Sequence, residues 1–83
     1  MTTTEQIRSI LQKHARLAVD ASSLPEEADL YEAGMNSHAS VSLMLALEGA
    51  FDIEFPDRML NRSVFQSIAA IRAAVEELSG GAS

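Results

Sequence analysis

The sequence predicts an all-α bundle of three long helices and one short helix, with a long loop after the first. Three observations carry that prediction. Apolar residues recur at helical spacing in three separate stretches, capping patterns stand before two of them, and breaks containing Pro or Gly separate or end them.

The first helix is expected over Glu5 to Ala18, where Ile7, Ile10, Leu11, Leu17 and Ala18 fall on one face. Thr2 and Glu5 have the spacing of a capping box, and Thr4 is an alternative cap. Val19 to Asn36 lacks sustained periodicity and contains Ser22, Ser23, Pro25 and Gly34, which reads as a long loop that Leu24, Leu30 and Tyr31 pin to the core. Loops of this length in compact domains tend to be functional, so this one is expected to position the start of the next helix. The second helix, Ser37 to Phe51, is rich in helix formers and carries a core stripe of Leu43, Leu47 and Phe51. Val41, Met44 and Leu45 lie on another flank, so more of its circumference is apolar than one buried face needs. Phe55-Pro56-Asp57 breaks the pattern, and Asp57 is suited to cap a brief third helix through Leu60 that Asn61 ends. Ser63 and Gln66 repeat the capping-box spacing before Phe65, Ile68, Ile71, Val75 and Leu78, the core face of a last helix that Ser79-Gly80-Gly81 stops.

At 83 residues the chain suits a single domain, with a folded core over about 5–78 and a flexible tail at 79–83. Its 47% hydrophobic content supports a core, though one this small seldom supplies more than about 3–5 kcal/mol. Twelve acidic residues against six basic ones give a net charge of −6, which disfavours nucleic acid and anionic membranes and favours basic partner surfaces. The absence of Cys excludes a disulfide framework, a thiolate zinc site and a cysteine nucleophile, so thiol chemistry would have to arrive with a cofactor. A polar N-terminal stretch, no spanning apolar run and no cysteine fit the cytoplasm.

The most informative stretch is Asp29-Leu30-Tyr31-Glu32-Ala33-Gly34-Met35-Asn36-Ser37-His38, which joins the long loop to the second helix and sets a serine at its start. A lone Gly-x-x-Ser has little meaning; its place between that loop and that helix gives it context. From there to the exit Phe51-Asp52-Ile53-Glu54-Phe55-Pro56-Asp57, and over roughly Glu5 to Leu78, the chain resembles the acyl and peptidyl carrier protein family. The resemblance implies an acyl-carrier-protein-like four-helix bundle. It also implies that a phosphopantetheinyl transferase moves 4′-phosphopantetheine from coenzyme A onto Ser37, whose arm then carries a thioester-bound acyl group. Serine is barely ionised near neutral pH and only His38 stands beside it as a base, so Ser37 is expected to be a substrate activated by an outside enzyme.

Two residues depart from the family pattern. The usual acid before the serine is Asn36, which keeps a capping oxygen but lacks the charge that in the family assists metal-dependent transfer; slow modification by a broad-specificity transferase is the expectation. The usual following leucine is His38, and Glu48 is the only acid on the helix after the serine, unlike fatty-acid carriers. Partner enzymes are therefore expected to read Met35, Asn36, His38, Val41, Met44 and Leu45 by apolar contact and hydrogen bonding. In this the chain is similar to peptidyl-type carriers and to small bacterial carriers loaded with an amino acid by shortened aminoacyl-tRNA-synthetase homologues. The expected partners are the transferase, an adenylating ligase and a downstream acyl-transfer enzyme, with the carrier a monomer.

Plainer readings stand beside these. Ser37 alone reads as an N-cap, Met35 and Met44 as core filler, and the loop acids as a solvated surface. His14 has no second ligand at metal spacing. A fatty-acid or polyketide acyl carrier is the nearest alternative function, and an unmodified helical interaction module using the Val41, Met44 and Leu45 flank is the next. Intrinsic catalysis has no base, metal set or phosphate-binding glycine loop to support it.

Overall fold

The computed structural model describes residues 2–14 and 20–79. Three α-helices, α1 (Thr3–His14), α2 (Ser37–Phe51) and α3 (Ile68–Leu78), alternate with two single 3-10 turns, Ala21–Ser23 and Asp57–Met59. The all-α class is thus as expected, with the brief third helix reduced to one 3-10 turn.

Helix α1 begins on the reciprocal Thr2/Glu5 box: Thr2 N–H donates to Glu5 Oε1 at 3.0 Å, and Glu5 N–H donates to Thr2 Oγ1 at 3.1 Å. Thr4 is left for another task, accepting from Arg72 Nη1 at 3.1 Å. Ile7 and Leu11 are fully buried. The expected continuation through Leu17 and Ala18 lies outside the described residues.

The long first loop is held at many points. Arg8 Nη1 donates to the carbonyls of Ala21 (2.8 Å) and Leu24 (2.6 Å), while Gln12 Oε1 accepts from Ala21 N–H at 2.9 Å. Leu30 N–H donates to Gln66 O at 2.7 Å, and Ala69 N–H to Glu26 O at 2.9 Å, tying the loop to the entry of α3. Arg72 Nη1 lies 2.7 Å from Glu26 Oε1 in a bent charge–charge contact rather than a hydrogen bond. Leu30 is fully buried, with Leu24 and Tyr31 packed beside the core as expected.

Along α2, Leu43 and Leu47 are fully buried and Phe51 packs against the core, as the four-residue stripe requires. Asp52 ends the helix in the left-handed region (φ 55°), its N–H donating to Glu48 O.

Three boundaries differ from the sequence expectation. Asp57 makes no capping bond; Pro56 holds the N-cap position, and Asn61 closes the turn by donating from Nδ2 to Arg58 O at 3.1 Å. The Ser63–Gln66 spacing does not cap α3 either. Ser63 Oγ is bound to Asn61 Oδ1 (2.6 Å), which also accepts from Val64 N–H (3.2 Å), and Ser67 Oγ instead accepts from Ala70 N–H (3.1 Å) to start the helix. Phe65 therefore lies before α3, buried and tilted at 60° against Phe55 with ring centroids 5.4 Å apart. Ser79, expected in the tail, is the C-cap of α3, donating to Val75 O at 2.9 Å.

Candidate functional site

The approach to Ser37 is built residue by residue. Asp29 Oδ1 accepts from Tyr31 N–H (2.9 Å) and Glu32 N–H (3.3 Å), opening a run of turns. Gly34 then adopts φ 119°, a conformation that L side chains rarely take. Met35 N–H returns to Leu30 O at 3.0 Å, and Met35 is 3% exposed. The residue two positions before the serine is thereby anchored in the core. Asn36 is next, in an extended conformation, and its Oδ1 accepts from Ala39 N–H at 2.8 Å. Asn36 is the N-cap of α2; Ser37 is the first helical residue, exposed, with a hydroxyl that makes no hydrogen bond among the described residues. The amides of Ser37 and His38 are likewise without an acceptor among the described residues, leaving two donors at the positive end of the helix.

Ser37 lines a cleft of about 330 Å³. One wall is Ser40, Val41 and Met44 of α2; the facing wall is Leu60, Asn61, Arg62 and Phe65, with Tyr31 at the loop side. The Arg62 guanidinium carbon lies 4.2 Å from the centroid of the Tyr31 ring. A second hollow, on the other flank, is lined by Lys13, His14, Gly34, Asn36, His38, Ala39 and Ser42. Ser37 therefore faces a largely apolar cleft, whereas Asn36 and His38 border a basic one.

Of the residues read as partner contacts, Val41 and Leu45 are 53% and 58% exposed, Met44 is half-buried, and Asn36 and His38 are exposed. Met35 does not belong with them: it is core, because the Leu30–Met35 turn directs it inward. Leu60, 46% exposed, was not singled out by the sequence, nor were Arg62 and Phe65 as cleft walls. Only an apolar Leu60 beside polar Asn61 hinted at it. The one acid of α2 is engaged, since Glu48 Oε2 accepts from Phe55 N–H at 2.9 Å. The exposed face of α2 consequently offers apolar and hydroxyl groups.

Two carboxyl groups are held below the ordinary carboxylate range, both away from the serine. Glu5 is lowered by the Thr2 N–H and then by its hydroxyl, and Asp20 by the Ser22 N–H and then by its hydroxyl. Among the described residues no three His, Cys, Asp or Glu side chains form a group able to hold a metal, and no helix is long and apolar enough to cross a membrane.

The family described as "Phosphopantetheine attachment site" matches residues 5–76. The chain belongs to the phosphopantetheine-attachment family. It is accordingly a carrier protein and not a catalyst. The "Aminoacyl carrier protein" of Agrobacterium fabrum (strain C58 / ATCC 33970) is 52% identical over 75 residues, covering 90% of each chain. The carrier protein from Agrobacterium tumefaciens, crystallised with an engineered Bradyrhizobium japonicum glycine:[carrier protein] ligase and AMP, superposes with a TM-score of 0.86 at 52% identity, covering 88% of this chain and 97% of that one. A holo acyl carrier protein from Nitrosomonas europaea superposes with a TM-score of 0.80 at 25% identity, over 93% and 95% of the two chains.

The residues of this carrier suit a phosphopantetheine arm. The hydroxyl of Ser37 is exposed and, among the described residues, unengaged; two amides with no acceptor among those residues stand beside it, and the adjoining cleft combines apolar walls with the guanidinium of Arg62.

Proposed function

We propose that Ser37 bears the 4′-phosphopantetheine arm and that the chain, acting as one carrier domain, carries an amino acid as a thioester. The observation that carries this reading is the exposed Ser37 hydroxyl, unbonded among the described residues, at the head of a helix whose cap is supplied by its neighbour. The serine is then free to be consumed by modification without loss of the helix start. When bound, the arm supplies the thiol that the cysteine-free chain lacks. The chain presents the serine, holds the helix behind it and offers a surface to partners. The reducing cytoplasm, where a free thiol persists, suits that arm.

An amino acid is favoured over a fatty acyl group by two observations. The 52%-identical relatives are an aminoacyl carrier and a carrier crystallised with a glycine:[carrier protein] ligase. The exposed face of α2 has no free acid, and Val41, Met44 and Leu45, with Leu60 across the cleft, give an adenylating ligase an apolar contact. Asn36 and His38 border that contact on the other flank. Glycine is the first cargo to offer, and a downstream acyl-transfer enzyme would take it from the arm.

Intact mass after incubation with coenzyme A and a phosphopantetheinyl transferase, with Ser37→Ala as control, tests the attachment. The mass of one arm on the native chain and none on the variant is expected; an unchanged native mass overturns the reading. The loaded carrier is then offered to a glycine:[carrier protein] ligase with ATP and glycine, and a glycyl thioester is expected. Loading by a fatty-acyl ligase alone would instead restore the fatty-acid alternative.

A further inference from the structure

We infer that Arg62 is a positioning residue that grips the phosphodiester of the arm and turns the arm into the cleft beside α2. This rests on the reading of Ser37 as the attachment site and deepens it.

In this acidic chain most cations already have fixed partners or lie elsewhere. Arg8 is spent on the carbonyls of Ala21 and Leu24, Arg58 pairs with Glu77 at 3.1 Å, and Arg72 faces Glu26 and Thr4. Lys13 borders the opposite hollow. Arg62 differs, because among the described residues no carboxylate stands within ion-pair distance of it. It nevertheless has a fixed place, lying over the Tyr31 ring at 4.2 Å. Stacking engages the flat face of a guanidinium and leaves the donors along its edge available. Arg62, Tyr31 and Ser37 line one cleft.

A phosphoryl group on Ser37 Oγ introduces a permanent negative charge at the mouth of that cleft. Planar, forked N–H donors match phosphate oxygens in geometry and charge. The Ser37 and His38 amides, without an acceptor among the described residues, are placed for the oxygens that Arg62 does not take. With the phosphate held from the Arg62 side, the first part of the arm lies between Val41 and Met44 on one wall and Leu60 and Phe65 on the other. The apolar walls suit the branched dimethyl carbon of the arm; Ser40 Oγ already donates to Ser37 O, and Asn61 is bound to Arg58 O, Ser63 Oγ and Val64 N–H, so Arg62 is the donor that the cleft offers. Charge alone would also favour the opposite hollow, which bears Lys13 and two histidines, but Ser37 does not line it.

The test uses holo-protein prepared from the native chain, Arg62→Ala and Arg62→Lys, with loading first verified by intact mass. A native chain that gains no mass refutes the attachment at Ser37, whereas full loading leaves the Arg62 inference to be decided separately. Comparison of apo and holo NMR spectra should show shifts of the Arg62 side-chain Nε–H, Leu60, Asn61 and Phe65, with contacts from the arm's dimethyl protons to Met44 and Phe65. In Arg62→Ala these shifts and contacts should be lost and the ³¹P line should narrow, with the apo spectrum preserved elsewhere. Arg62→Lys should restore them in part, through charge without stacking. Raising salt should weaken the contacts in the native holo-protein, which serves as an independent reading if Arg62→Ala folds poorly. Unchanged cleft resonances on loading of the native chain, or arm contacts undiminished in a folded Arg62→Ala, would overturn the inference.

Discussion

Asn36 Oδ1 holds the Ala39 amide at 2.8 Å, whereas the Ser37 hydroxyl holds nothing among the described residues. Capping and the proposed modification thus fall to adjacent residues. Loss of an Asn cap costs about 0.5–2 kcal/mol, so Asn36→Ala should lower the chemical-denaturation midpoint clearly. Ser37→Ala, an exposed change with no bond broken, should stay within about 0.5 kcal/mol of native; a larger loss would return the cap to Ser37. Asn36→Asp retains the capping oxygen and adds the charge usual in the family. It should be modified faster than the native chain by a broad-specificity, metal-dependent transferase, and equal initial rates by mass spectrometry would refute the role given to the missing charge. The place of Ser37 at the start of α2 was legible in the sequence, but which of two polar neighbours caps the helix was not. That depended on the extended backbone at Asn36, which the buried Met35 and the turn at Gly34 impose.

The two capping-box spacings had different fates, for a reason that belongs to elements. Thr2, before α1, and Glu5, in its first turn, keep to each other and form the box. Ser63 and Gln66 are drawn elsewhere: Asn61 takes the Ser63 hydroxyl, Phe65 is buried, and Gln66 O accepts from Leu30 N–H. Local spacing predicts well where tertiary contacts are few and fails where the chain is recruited into the core. The Thr2/Glu5 box also makes the start of α1 pH-dependent. Because the folded-state pKa of Glu5 lies below its unfolded value, its contribution is present above the ordinary carboxylate range and is lost as pH falls through the lowered value. The protection factors of the first-turn amides of α1, taken relative to intrinsic exchange at each pH, should fall on acidification below that range, while Thr2→Val, which cannot accept the Glu5 amide, should show low protection both above and below it. Two glycines give opposite expectations. A Cβ at exposed Gly49, inside α2, meets nothing within 4 Å, so Gly49→Ala should raise stability by about 0.5–1 kcal/mol. Gly34→Ala, at φ 119°, should lose more than that by strain, as thermal melts would show.

At the scale of the whole molecule, α2 serves two surfaces at once. Leu43 and Leu47 face inward and are fully buried, while Val41 and Leu45 face outward and are more than half exposed. This division was legible in the sequence because it comes from helical geometry alone. The cleft's other wall was not, since Leu60, Arg62 and Phe65 reach it only through the irregular segment between Met59 and Ile68, a run of local turns tied back to the first loop by the Leu30–Gln66 bond. The two surfaces should separate experimentally. Leu47→Ala removes a fully buried side chain and should cost about 2–5 kcal/mol, comparable with the whole stability of about 3–5 kcal/mol that a core this small supplies. Its melting temperature should fall steeply and a large fraction should be unfolded near room temperature. Leu45→Ser removes exposed apolar surface, and its melt should stay within about 0.5 kcal/mol of native. It should still accept the arm, yet the KM for loading by a glycine:[carrier protein] ligase should rise several-fold, by loss of docking contact. Native-like loading by Leu45→Ser would remove the apolar face from partner recognition. A KM defect that scaled with lost stability across both variants would reduce the two surfaces to one.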